Sequence, residues 1–467
     1  MKPNEKSTTE GPAIRRREFV PAAGASVAAF TILPRHVLGG QASPAPSDKL
    51  DIAAVGVGGM GQNYMEGCNS ENIVAIADVD SEFAAPVFKK YPAARTYRDY
   101  RVMLQKEKGI DAVIIGTPDH SHAVIAMAAI GLRKHVYVAK PMTRTVYEAR
   151  TVTKAARQAK VATQMSVQSC STDQAVTTEE WIKAGAVGPV NEVHVWTDRP
   201  VWPQALARPR ESAAIPSTLD WDIWLGPAPA RPFHPVYHPF NFRGWYDFGT
   251  GALGDMACHT FHIIVKSLDL GAPLSVSATR TVLREALKGD EKPDPTWARS
   301  RQGVYPETFP ASSVTTWDFP ARGNQPPVRM HWYEGGLRPP HPVEMATGRD
   351  LGVDGILFVG ERGVLHSGFT GGPRFLNPAR QQAFAPPAKT LPRTIGHYVE
   401  WVAACKGGKP ATCNFEFAGP VAEIALLGVI AQRTGKHLLW DAANMRFTND
   451  PEANKFINPP YRAGWSL

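Results

Sequence analysis

The sequence is poor in the features that mark several protein classes. Five cysteines stand in 467 residues, and none forms a C-x-x-C pair. An odd count leaves at least one thiol unpaired, so free thiols are expected. A Cys405–Cys413 disulfide is the alternative in an oxidising compartment. No dense Lys/Arg stripe accompanies the net charge of +8, which excludes a nucleic-acid footprint and leaves general surface character. Internal repeats and low-complexity blocks are absent. What remains is 43% hydrophobic and 20% charged, the composition of a globular chain and not of a disordered or collagen-like one. The length accommodates two domains with sizeable cores, or three. The 41 prolines and 12 tryptophans imply long ordered loops with aromatic surfaces.

Residues 50–61 read L-D-I-A-A-V-G-V-G-G-M-G. The apolar run at 52–57 suits a buried parallel strand. Gly56, Gly58 and Gly61 fit G-x-G-x-x-G, with Gly59 and Met60 inside the loop. The first glycine permits a tight turn and the second lets backbone approach a pyrophosphate. The third packs the following helix on the strand, so that its N-terminal amides face the anion. A second strand, 73–77, ends at Asp78, 17 residues after Gly61, close to the roughly 20-residue offset of a ribose-binding carboxylate. Such a carboxylate accepts hydrogen bonds from ribose hydroxyls and repels a 2′-phosphate, so NAD is expected over NADP.

The N-terminus carries an address. Arg15-Arg16-Arg17-Glu18-Phe19-Val20 resembles a twin-arginine export motif, with Arg15 where Ser or Thr is usual. The Ala/Val-rich stretch at 21–33 is too short and too mildly apolar for a permanent bilayer span, so the mature protein is not expected to insert stably in a membrane. Cleavage is expected within 34–47. The implied partner is the twin-arginine export machinery and the implied location is periplasmic or otherwise exported. That pathway carries folded cargo with its cofactor already loaded.

Strand and helix alternate from residue 48 to about 165, as in a doubly wound parallel sheet. The strand at 110–116 runs into Thr117-Pro118-Asp119-His120-Ser121-His122, a loop at a strand C-terminal edge where such folds bind ligands. Strands at 135–139 and 161–167 and an amphipathic helix at 145–160 complete the unit. Residues 166–440 differ: alternating strands at 190–197 and 274–281 imply an α+β domain with a large, mostly antiparallel, open-faced sheet. A proline- and tryptophan-rich insertion, 199–245, is too long to be a mere connection. A core helix is expected at 419–434 and a C-terminal tail at 441–467. A one-faced sheet must be covered, and a second copy of the chain is the expected cover.

The glycine loop, Thr117–His122, Lys140-Pro141 and Gly249-Thr250-Gly251-Ala252-Leu253-Gly254-Asp255-Met256-Ala257-Cys258-His259 occur in an order that resembles the Gfo/Idh/MocA oxidoreductases. That family is named for glucose-fructose oxidoreductase and inositol dehydrogenase, and the resemblance covers about residues 48–440. It implies a Rossmann NAD-binding domain followed by a substrate-binding domain. It also implies that Lys140 lies near the nicotinamide and a substrate hydroxyl, that His259 is the general base, and that Asp255 orients substrate and imidazole. Asp255 and His259 are one helical turn apart and share a face. Thr117, Pro118, Asp119 and His122 are expected near the nicotinamide half, with His120 beside them. Ala139 replaces the family's glutamate before the lysine, so any contact of that carboxylate is missing.

The chemistry asks for such groups independently of family. An alcohol releases hydride only as its proton leaves, and an imidazole suits that transfer near neutral pH. A cation steadies the developing charge on oxygen. The plain alternatives are a surface lysine after a strand, a helix N-terminal acid and a packed histidine. Asp255, His259 and His262 have metal-ligand residue types, but without further ligands no metal is expected. Trp245, Tyr246, His238 and Trp332 are expected to contact a sugar, within an aromatic set that includes Trp221, Trp224, His234 and Phe248. His331-Trp332-Tyr333-Glu334-Gly335-Gly336 is expected at the same pocket.

The expected function is hydride transfer between a sugar, sugar acid or glycoside and tightly held NAD. One alternative is an NAD-dependent glycoside hydrolase working by transient oxidation, elimination and re-reduction. The other is a non-catalytic NAD-binding scaffold.

Overall fold

Six short strands build the first sheet: β1 (Asp51–Val55), β2 (Asn72–Ala77), β3 (Arg95–Tyr97), β4 (Ala112–Ile115), β5 (His135–Val138) and β6 (Thr163–Met165). All pairs are parallel, in the order β3-β2-β1-β4-β5-β6. In the computed structural model the described residues are 48–287, 300–303, 305–345 and 348–467. The export-like motif at 15–20, the apolar stretch at 21–33 and the expected cleavage region at 34–47 lie outside the described residues.

Local chemistry explains these elements. β4 is A-V-I-I with every residue buried, as a strand covered on both faces requires. The helix Val146–Ala159 starts with a capping box, in which the Thr145 hydroxyl accepts from the Glu148 amide and the Glu148 carboxylate accepts from the Thr145 amide. Strand order reverses between β1 and β4. Crossovers therefore leave in opposite directions there, and a crevice opens at the strands' C-terminal ends.

The second sheet has nine strands: β7 (Val190–Trp196), β8 (Ser275–Arg280), β11 (Ser313–Phe319), β12 (Val328–Glu334), β13 (Gly355–Gly360), β14 (Gly363–Ser367), β15 (Pro373–Phe375), β16 (His437–Asp441) and β17 (Arg446–Phe447). Their order is β15-β14-β13-β7-β12-β11-β8-β16-β17, and a separate hairpin joins β9 (Arg284–Ala286) to β10 (Ser300–Gln302). Every pair is antiparallel except β7 with β12. One face carries the helices Gly251–Leu268 and Phe415–Thr434. There Trp317 donates its indole N–H to the Ile424 carbonyl at 2.9 Å, and Phe261 meets Trp317 and Trp332 edge-on. The helix Phe415–Thr434 is long and apolar enough to cross a membrane by composition, yet it is mostly buried here as a core helix. The opposite face, bearing Glu192, His194, Thr316, His331 and Tyr333, is half-exposed at those positions.

Two regions outside the sheets are ordered. Residues 441–467 are packed, not loose: Tyr461 donates to the Glu148 carboxylate at 2.6 Å and Arg462 donates to the Gly226 carbonyl at 3.0 Å. The insertion at 199–245 folds around the short helix Trp221–Leu225 and the turn Asn241–Gly244. Its aromatics form their own cluster, with Trp221 stacked on Trp224 at 4.5 Å and the buried Arg231 guanidinium 4.7 Å over Phe248. All five cysteines are free thiols.

Candidate cofactor cleft and active site

The glycine loop turns as backbone geometry demands. Gly56 has φ +75°, and a Cβ on Gly61 would lie 2.1 Å from the Gly56 carbonyl oxygen. Both positions therefore require glycine, which brings the helix Gly61–Gly67 against β1 and β4. Asp78, at the end of β2, reaches back to the loop: one carboxylate oxygen accepts from the amides of Val57 (2.7 Å) and Gly58 (3.2 Å). The other accepts from Asp80 N at 3.0 Å. Burial raises the Asp78 carboxyl pKa, against the pull of these amides.

A cleft of about 400 Å³ opens along this edge. Gly56, Gly58, Gly59, Met60 and Asp78 line one side; Thr117, Pro118, Asp119 and Lys140 line the floor. Asp119 begins the helix Asp119–Gly131, and its carboxylate accepts from the Thr250 hydroxyl at 2.8 Å. The far wall comes from the insertion, through Trp224, His238, Phe240 and Arg243, and from Trp465. His238 lies 2.9 Å from the Asp80 carboxylate through Nε2.

The walls fit a polar ligand of the dinucleotide kind. Thr117 Oγ1, Trp224 Nε1 and His238 Nδ1 are buried without a hydrogen-bond partner among the described residues, and all three residues line the cleft. Unpartnered buried groups are costly and find relief in a bound ligand or water. Gly59 has no atom within 4 Å of where a Cβ would stand, so backbone at the loop tip faces open space. The loop side suits a pyrophosphate and Asp78 suits ribose hydroxyls.

At the inner end, Lys140 follows β5. Its amide donates to Ser166 Oγ at 2.8 Å, and its Nζ lies 2.7 Å from Asp255 Oδ1. Arg243 Nε donates to the same oxygen at 3.1 Å. Burial alone would raise the Asp255 carboxyl pKa, but the two cations hold it at about 2. His259 follows one turn along the helix Gly251–Leu268, with its ring 4.6 Å from the Phe369 ring. Burial first, and then the Lys140 charge, hold its imidazole well below the ordinary histidine range, as a neutral base. Cationic, anionic and neutral-basic groups thus adjoin where the crevice closes.

Several expected residues sit elsewhere. Asp255 and His259 lie behind the lining, which ends at Lys140 and Arg243. His122 is buried beneath the cleft floor, its ring nitrogens 2.8 and 2.7 Å from the carbonyls of Pro141 and Thr117, so it braces the loop instead of touching a cofactor. Gly61 likewise packs behind the loop.

Of Trp245, Tyr246, His238 and Trp332, His238 alone reaches the cleft, where Trp224 of the wider aromatic set joins it. Trp245 is buried against Tyr237 at 4.8 Å, and Tyr246 against Phe309 at 4.1 Å. Trp332 points into the helix-covered core, where its indole donates to Glu334. Strand alternation explains the last case: Trp332 faces the core, so His331 and Tyr333 face the other side. Sequence reasoning also missed Phe83, Phe240, Arg243 and Trp465. The position of Arg243 just before the glycine-rich 249–254 stretch was an available signal; Trp465 had none.

Two family models match the chain: the oxidoreductase family NAD-binding Rossmann fold over residues 50–167, and the oxidoreductase family C-terminal alpha/beta domain over residues 196–280 and 381–467. The chain is 28% identical over 113 residues to levoglucosan dehydrogenase of Pseudarthrobacter phenanthrenivorans, covering 24% of this chain and 29% of that protein. It is 30% identical over 162 residues to a glycosyl hydrolase family 109 protein of Shewanella baltica, covering 29% of this chain and 35% of that protein. The chain thus aligns with about a third of the length of these curated relatives. A WlbA dehydrogenase from Bordetella pertussis, solved with NADH and UDP-GlcNAcA, shares the fold. Its TM-score is 0.55 at 16% identity, over 84% of this chain and 99% of that one.

Proposed function

Because the chain belongs to the Gfo/Idh/MocA oxidoreductase family, we propose that it is an exported NAD-dependent oxidoreductase acting on a hydroxyl of a sugar or sugar derivative. The observation that carries this reading is the 2.7 Å pair between Lys140, at the inner end of the cleft, and Asp255 just behind the lining, with neutral His259 one turn along the same helix. Bound NAD supplies a hydride acceptor for the carbon bearing that hydroxyl.

The chain's own residues do the rest. Backbone at Gly58 and Gly59 receives the pyrophosphate, and Asp78 engages the ribose hydroxyls. Lys140 donates to the substrate oxygen and steadies its negative charge. His259 takes the hydroxyl proton on a ring nitrogen. Asp255 stays ionised, holds Lys140 in place and is itself held by Arg243. Trp224 and His238 narrow the entrance and exclude water. Trp245, Tyr246 and Trp332 shape the domain that bears the substrate without lining the cleft.

Redox-assisted glycoside cleavage is a second reading, favoured by the similarity to the glycosyl hydrolase family 109 protein. Transient oxidation beside the glycosidic carbon acidifies a C–H, elimination expels the aglycone, water adds and hydride returns. The same Lys140 and His259 serve both routes. To separate them, the protein is purified without added cofactor, assayed for co-purifying NAD, and incubated with sugars and aryl glycosides. Accumulating NADH or oxidised sugar supports net oxidation; released aglycone without net NADH sinks it in favour of the second reading. Neither signal, with NAD bound, overturns both. Export is tested by Arg16→Lys/Arg17→Lys, which is expected to strand the protein in the cytoplasm.

A further inference from the structure

A second constellation stands on the half-exposed sheet face. Glu192 and His194 are two residues apart on β7 and so share that face. His331 of β12 is the register partner of His194. Glu192 Oε1 lies 3.4 Å from His194 Nε2 and 3.1 Å from His331 Nε2. None of the three residues lines the cofactor cleft.

The far sides of both rings are engaged. His194 Nδ1 lies 3.1 Å from the Tyr333 hydroxyl, and His331 Nδ1 lies 2.9 Å from the Thr316 hydroxyl. In the tautomer that a bound cation would select, each hydroxyl accepts from Nδ1–H and each Nε2 presents its lone pair to the ion, the outer support that metal-bound histidines have. Arg329, the register partner of Glu192, donates to Asp318 at 2.7 Å, which leaves the Glu192 carboxylate to the rings.

The geometry points to a site for a divalent transition metal of the zinc class, held by Glu192, His194 and His331 on the open sheet face. Ligands about 2.0–2.1 Å from a tetrahedral ion stand roughly 3.3 Å apart. The two edges from Glu192 meet that spacing. The His–His edge lies within 4.8 Å and closes to a span of at most about 4.2 Å around one ion. The Glu192 side chain is 41% exposed in the single chain, which leaves room for water to complete the ion's coordination. Two nitrogens and one oxygen suit zinc or cobalt over calcium or magnesium. The ion bridges β7 and β12, the parallel pair in an otherwise antiparallel sheet, and parallel pairing is the weaker kind.

The test uses untagged full-length protein, freed of metal by chelator and titrated with Co²⁺ by visible absorption and with Zn²⁺ by calorimetry. One equivalent of Co²⁺ with tetrahedral d–d bands, displaced by Zn²⁺, is expected, together with a raised Tm. His194→Ala and the near-isosteric Glu192→Gln are expected to weaken binding at least 100-fold, and Tyr333→Phe about 10–100-fold. Exposed His437→Ala is expected to leave binding unchanged. No saturable one-equivalent binding, or binding that persists in both His194→Ala and Glu192→Gln, overturns the site. The readout needs neither NAD nor sugar turnover, so it fails independently of the proposed activity.

Discussion

The molecule sets histidine beside carboxylate in two places, and the surroundings differ. At the cleft, Asp255 is buried between Lys140 and Arg243, with His259 a turn away. On the sheet, Glu192 faces two imidazole rings and its register neighbour Arg329 is engaged with Asp318. Two cations satisfy a buried carboxylate and leave the imidazole as a lone base, an arrangement suited to moving a proton. Two imidazoles converging on a carboxylate concentrate lone pairs, an arrangement suited to holding a cation. Position adds to the contrast: Asp255 and His259 lie on a helix behind a cleft, and the second set lies on half-exposed strands.

The largest effect that would sharpen this contrast comes from His259→Ala. Turnover is expected to fall about 100- to 10,000-fold while bound NAD and the cobalt titration stay unchanged. Full activity in that variant breaks the assignment of His259 as base.

Next in size is Asp255→Ala, which leaves the cationic partners without their carboxylate. A loss of about 3–5 kcal/mol is expected in urea denaturation. The folded carboxyl titrates at about 2, below its ordinary 3.8, so its contribution is full above pH 3.8 and fades as pH falls through about 2. The difference between wild type and variant should therefore be flat from pH 5 to pH 8. A difference that varies across that window contradicts the double pairing.

Glu334 tests the opposite sign. Burial raises its carboxyl from 4.5 to about 7, even though Trp332, Ser313 and Gln432 donate to it. The stability it contributes is whole below pH 4.5 and is lost as pH rises through about 7, by up to about 3 kcal/mol. Glu334→Gln should flatten that decline in thermal melts. The smallest effect is at Asp78→Ala, where NAD binding is expected to weaken about 10-fold, read by fluorescence titration. Unchanged affinity would leave Asp78 as a loop staple only.

The first sheet was legible because its signals are local. Buried strands such as A-V-I-I, the glycine spacing and the Thr145/Glu148 cap each sit within a few residues. The open-faced second sheet was legible from alternation. Its side-chain directions were not: a segment such as 331–336 reads as one aromatic patch, yet the pleat sends Trp332 into the core and His331 to the other face. The wall formed by Arg243, Phe240 and Trp465 depends on where a long insertion and the 441–467 segment come to rest, which no local pattern encodes. The Glu192–His194–His331 set was equally hidden, because register between β7 and β12 brings it together.

Trp465 in the cleft wall has a consequence for biosynthesis. The loop that receives the cofactor emerges from the ribosome first, and the indole that completes its wall follows about 400 residues later. At roughly 5–20 residues per second, that interval is about 20–80 seconds. During it, the nascent chain displays the glycine loop with one side of its enclosure unmade. If the cleft holds the dinucleotide as proposed, its closure waits for Trp465, and a deletion reaching Trp465 is expected to loosen binding while leaving the loop itself intact.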